Sequence, residues 1–146
     1  MPLIVVKEVI EAPILKVWDL VKKIENYPKF MKPVHELKIL SRDGDITDAE
    51  WEVELKGSIL RWSERDICYP SEHRIEFAQI EGDLEKFEGN WNLKKISEHV
   101  TEVELQVNFE IGIPMLRDML NPVAEKALRD NAITMLRSFQ SHEVVA

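Results

Sequence analysis

Ala49-Glu50-Trp51-Glu52-Val53-Glu54-Leu55 decides the fold class. Apolar and acidic residues alternate one for one, and a side-chain period of two is that of a β-strand with one face in a core and one in water. The pattern returns where Val103, Leu105, Val107 and Phe109 interleave with Glu102, Glu104, Gln106 and Asn108. Between and around these two segments, strands are predicted at Val34–Leu40, Thr47–Leu55, Ser58–Tyr69, Arg74–Ile80, Lys86–Lys95 and Thr101–Ile111. Asp43-Gly44-Asp45, Lys56-Gly57-Ser58, Tyr69-Pro70-Ser71, Glu81-Gly82-Asp83 and Ser97-Glu98-His99 separate them, each short enough to join antiparallel neighbours.

Upstream, Leu3 to Ile10 reads as a further strand, ended by Glu11-Ala12-Pro13. Ile14, Val17, Trp18, Val21 and Ile24 then recur at helical spacing, so an amphipathic helix should close near Ile24. Asn26-Tyr27-Pro28 breaks that pattern, leaving room for a short helical piece before Pro33. Downstream of Gly112-Ile113-Pro114, Leu116, Leu120, Val123, Ala127, Leu128, Met135, Leu136 and Phe139 form a long apolar stripe. Pro122 should kink or break this helix, with the main part starting near Asn121 and fraying after Ser141. The architecture is therefore α+β: a seven-stranded curved antiparallel sheet, one or two small helices after the first strand, and a long C-terminal helix. That helix alone is long enough to cover the apolar face, and wrapping the sheet around it encloses an interior.

The 146 residues, 45% of them hydrophobic, suit a single domain spanning 1–146 whose core needs neither disulfide nor metal. Lys and Arg number 19 against 27 Asp and Glu, a net charge of −8, with no basic run to track phosphates, so no nucleic-acid partner is expected. Cys68 is the only cysteine, which excludes an intrachain disulfide and suits a reducing cytoplasm. The apolar N-terminus meets Lys7 and Glu8 too soon to be a signal peptide, and no stable membrane insertion is expected. His35, His73, His99 and His142 are scattered, and Asp43-Gly44-Asp45 lacks the rest of a calcium loop, so no metal site is expected. With no Gly-rich phosphate loop, nucleophile elbow or paired catalytic carboxylates recognisable, no cofactor is implied.

Four segments carry a family likeness: Ala12-Pro13-Ile14-Leu15-Lys16-Val17-Trp18-Asp19-Leu20-Val21, Ile24-Glu25-Asn26-Tyr27-Pro28-Lys29-Phe30, Glu81 to Trp91, and Asn131 to Leu136. In this order and spacing the chain resembles the START-like, helix-grip (SRPBCC) superfamily, in the branch of polyketide aromatase/cyclases and Coq10-type coenzyme Q-binding proteins. The resemblance implies a hydrophobic cavity that binds or transports a quinone, lipid or polyketide-like molecule. Its alternatives are a polyketide cyclase/dehydrase-like enzyme and a toxin-like, ribosome-interacting module. A fold shared by such different activities selects a ligand class more firmly than a reaction.

Arg61-Trp62-Ser63-Glu64-Arg65-Asp66 has polar residues on both faces of a central strand. If Ile59, Ile67 and Tyr69 face inward, Arg61, Ser63 and Arg65 line the cavity with them. Arg65 then resembles the pocket arginine of aromatase/cyclases, where fixed N–H donors would support an enolate. The plainer reading is an ion pair with Glu64, Asp66 or a carboxylate across the sheet. Tyr27, Trp51, Phe77, Phe87, Trp91 and Phe109 are the aromatics placed at the interior or its mouth, where they serve either as ligand walls or as ordinary core. Gly89, two before Trp91 on the same face, leaves space beside that ring.

Overall fold

The computed structural model describes residues 3–55, 57–110 and 121–145, and side chains throughout these except at 121–124 and 141–145. β1 (Leu3–Ile10) leads into α1 (Ile14–Lys22), a 3-10 turn at Ile24–Asn26 and the short α2 (Tyr27–Phe30). The strands β2 (Val34–Asp43), β3 (Ile46–Leu55), β4 (Ser58–Tyr69), β5 (Arg74–Gly82), β6 (Lys86–Ser97) and β7 (Val100–Glu110) follow, and α3 (Asn121–Val145) closes the chain. One seven-stranded sheet has the order β1-β7-β6-β5-β4-β3-β2, antiparallel at every junction. This is the helix-grip arrangement.

The alternation in β3 and β7 becomes burial. Ala49, Trp51, Val53 and Leu55 are buried on β3, Val103, Leu105, Val107 and Phe109 on β7, and the acidic residues between them face outward. α3 lies against this concave face, with Ala127, Ala132, Leu136 and Phe139 buried beneath it. Polar bonds along its flanks hold its position on the sheet. Arg129 donates to the Val5 carbonyl at 3.3 Å, Arg137 pairs with Glu8, and Gln140 accepts from the Glu11 amide at 2.7 Å, all at the β1 side. On the other side Asn131 donates to the Glu54 carbonyl of β3 at 2.7 Å. The helix is thereby tied to β1 and β3 at once.

The proline expectations hold, and one about the end of the last helix changes. α1 ends at Lys22, and the short α2 that follows carries Pro28 in its first turn, where its missing N–H has no intrahelical partner to lose. The main C-terminal helix starts at Asn121, as expected, with Pro122 at its second residue, but its helical backbone runs on to Val145, past the fraying expected after Ser141. The lead-in expected at Leu116 and Leu120 lies outside the described residues. Among the described residues no helix is long and apolar enough to cross a membrane.

Candidate functional site

β4 is where the structure corrects the sequence. Val53 pairs with Leu60 and Trp51 with Trp62, and residues directly opposite in an antiparallel pair share a face. The interior of β3 therefore sets the interior of β4: Leu60, Trp62, Glu64 and Asp66 turn inward and are buried. Arg61, Ser63 and Arg65 turn outward with Ile59, Ile67 and Tyr69. Arg65 meets its cross-strand partner Asp48 through two hydrogen bonds, 2.8 and 3.0 Å, and holds that carboxyl below its usual pKa range. Arg61 pairs in the same way with Glu52 at 3.0 Å. The enolate-supporting role drawn for Arg65 thus loses its geometric basis, and the cross-strand ion pair takes its place. Arg65→Ala is expected to leave ligand retention unchanged and the melting temperature within a few degrees of wild type, checked by native mass spectrometry and calorimetry.

Between the sheet and α3 lies a cavity of about 80 Å³. Trp51, Trp62, Phe77, Phe87 and Trp91 give it aromatic walls, Val53, Leu60, Leu105 and Val107 its aliphatic floor, and Leu128, Ala132 and Met135 of α3 its roof. Four of the six aromatics proposed from sequence, Trp51, Phe77, Phe87 and Trp91, meet here. The other two do not border it. Tyr27 is fully buried behind the wall, its ring edge-on to Trp51, Trp91 and Phe139 at 5.9–6.2 Å and its hydroxyl donating to the Val21 carbonyl, so it is not at an entrance. Phe109 is fully buried in the core of β7. Trp62 and Leu84, which sequence reasoning did not single out, complete the walls.

The charged exception among the described lining residues is Glu64. Only 4% exposed, it accepts a hydrogen bond from the Trp62 indole at 2.8 Å, and Asp66 follows two residues on along the same face. A carboxylate pair was not recognised in the sequence, because β4 was read with the opposite facing. Burial and then the neighbouring Asp66 push the Glu64 carboxyl well above the ordinary glutamate value of 4.5. Burial also raises Asp66, against a hydrogen bond with Glu64 that lowers it. Burial therefore holds both carboxyls toward the protonated form at pH values where exposed carboxyls are bare.

A raised native pKa favours the folded state in acid. That contribution is complete below the unfolded value near 4.5 and disappears as pH climbs through the higher native value. Glu64→Gln keeps the shape and an acceptor for Trp62 but has no proton to lose. Its melting temperature is expected to match wild type in acid and to exceed it by a widening margin as pH rises above 4.5, in a pH series of thermal melts.

Among the described residues no cluster of His, Cys, Asp and Glu could hold a metal ion. Cys68 is half-buried and free, its thiol pKa raised by burial and by Asp66.

Residues 10–136 match the sequence pattern of the family described as polyketide cyclase / dehydrase and lipid transport. The chain belongs to that family. A crystal structure of a Thermus thermophilus protein superposes with a TM-score of 0.92 at 26% identity, covering 99% of this chain and 98% of that one. The Zhui aromatase/cyclase from Streptomyces sp. R1128 superposes with a TM-score of 0.89 at 17% identity over 97% of this chain and 92% of its own, a likeness of fold. In sequence, the chain is 27% identical over 128 residues to the ribosome association toxin RatA of Pseudomonas aeruginosa, covering 87% of this chain and 85% of the toxin. The family thus includes the START-like cyclase fold and the Coq10-type branch that the sequence motifs resemble.

Proposed function

We propose that the chain works as one ligand-binding domain, in the cytoplasm, which holds the apolar part of a quinone, lipid or polyketide-like molecule between the sheet and α3. The observation that carries this reading is the cavity itself, walled by aromatic and aliphatic side chains with Glu64 the one charged residue among the described residues of its lining. Burial of apolar surface contributes about 25 cal/mol per Å², so such a lining favours greasy ligands. At about 80 Å³ it has room for a small ring or the end of a chain. Drug-sized ligands fill ~300–1,000 Å³, so a larger molecule requires the walls to give.

Native mass spectrometry of protein purified without detergent should show a copurified mass. Leu105→Trp, which fills the floor of the cavity, should remove that mass while the far-ultraviolet circular dichroism stays unchanged. A wild-type protein with no retained mass, and no change in tryptophan emission on adding apolar ligands, would defeat the reading, since Trp51, Trp62 and Trp91 all line the space.

The likeness to the ribosome association toxin supports a second reading, in which the protein associates with ribosomal particles. A net charge of −8 works against direct contact with RNA, so the contact would be with protein. Cosedimentation with ribosomal subunits at low salt tests it, and sedimentation only as free protein would end it.

A further inference from the structure

Three buried side-chain polar atoms among the described residues have no hydrogen-bond partner: Trp51 Nε1, Asp66 Oδ1 and Gln79 Oε1. All three belong to one patch of the inner wall, centred on Glu64. Gln79 lies directly across from Glu64 on β5, and Asp66 is two residues along on β4. Trp51 stands opposite Trp62 on β3, which makes it the diagonal neighbour of Glu64 at roughly 7–8 Å. Trp51 and Glu64 also line the cavity, whereas Gln79 and Asp66 back them. Asn131 borders the cavity too, but its side-chain nitrogen is engaged by the Glu54 carbonyl. An unpaired buried donor or acceptor costs about 1–3 kcal/mol, so a patch that gathers several needs an explanation beyond packing.

Polarity at the cavity surface is of two kinds. Trp51 offers an N–H, a donor only. Glu64 offers an acceptor, because the oxygen that takes the Trp62 indole N–H at 2.8 Å keeps a second lone pair. We propose that this patch binds the hydroxyl group of an otherwise apolar ligand, the hydroxyl donating to the Glu64 carboxyl and accepting from Trp51 Nε1. One oxygen then satisfies both groups. A ketone, quinone or ether oxygen could answer the indole alone and would set a further acceptor against Glu64, with Gln79 and Asp66 behind it. The inference rests on the cavity being a ligand site and narrows what that ligand carries: a hydroxyl on a ring or chain.

Benzene, anisole and phenol separate the two ideas, since they share one ring and differ in having no oxygen, an acceptor only, or a hydroxyl. Each is titrated into the whole protein and followed by protein-observed nuclear magnetic resonance and tryptophan emission. Phenol is expected to bind about tenfold more tightly than anisole or benzene, the worth of one well-made hydrogen bond. Glu64→Leu should erase that preference while still binding benzene, Trp51→Phe should reduce it, and Glu64→Gln, which keeps an acceptor, should retain part of it.

Equal binding of the three rings by wild type would overturn the hydroxyl assignment and leave the apolar cavity standing. A phenol preference that survives Glu64→Leu would overturn it as well. Binding of none of them would overturn the cavity reading and the inference with it. Should Glu64→Leu fail to fold, the wild-type comparison of phenol with anisole and the Trp51→Phe titration decide the matter.

Discussion

Phe139→Ala is expected to cost about 3–5 kcal/mol of stability, the range for deleting a fully buried aromatic side chain. Phe139 has no exposed surface and sits where α3 meets two other elements. Its ring centroid is 5.9 Å from Tyr27, 5.9 Å from Phe30 and 6.0 Å from Trp91, so the helix, α2 and β6 converge on it. Removing the ring leaves Tyr27 and Trp91 without their edge-to-face neighbour and Phe30 without its tilted one, and opens a void beside the wall of the cavity. Phe139→Leu, which retains most of the volume, should cost roughly 1.5 kcal/mol or less. Urea denaturation of the two variants checks both values, and near-equal costs would mean that the ring is not what fastens α3 to the sheet.

Gly89→Ala should destabilise by about 3 kcal/mol, where the usual effect of replacing a strand glycine with alanine is a gain of roughly 0.5–1 kcal/mol. The sign is reversed by space. A Cβ at Gly89 would fall on the Gln106 carbonyl oxygen of β7, and within 2.9 Å of both the Gln106 carbonyl carbon and Phe77 Cζ. A flexible side chain could swing away, but the carbonyl belongs to the neighbouring backbone, paired with β6 along the whole junction. Two central strands must then separate. Gly89→Val adds further atoms to the same clash and is expected to prevent accumulation of soluble protein. Thermal melts of Gly89→Ala decide it, and a stabilised variant would show that β6 and β7 stand further apart at this point.

The same glycine shows how far local reading reaches. Its place before Trp91 was legible as space left beside a ring, but the residues that need the space, Gln106 and Phe77, lie on the flanking strands β7 and β5. The prolines are legible from sequence. Pro28 follows the end of α1 and Pro122 stands beside the expected helix start at Asn121, and each occupies the first turn of a helix, where its missing N–H removes no intrahelical bond.

For the site, the aromatic walls were legible wherever alternation was clean. Trp51 and Trp91 stand in strands whose apolar residues, apart from the exposed Ile46 and Ile96 near the strand ends, fall on one face. β4 carries apolar residues on both faces, Ile59 and Ile67 on one and Leu60 and Trp62 on the other, and its own sequence does not choose between them. A signal existed one element earlier: the pattern of β3 fixes Leu55 inward, and a two-residue connection pairs Leu55 with Ser58, which carries Leu60, Trp62 and Glu64 inward in turn.

From the amino-acid order alone came the succession of elements, the antiparallel meander, the long covering helix and an apolar interior between them, since each follows from a periodicity that a single segment displays by itself. Only the tertiary structure decided that Glu64 and Asp66, and not Arg61 and Arg65, look into that interior. Facing is a property of two paired strands together, and a shift of one residue in their register exchanges every side chain between core and water.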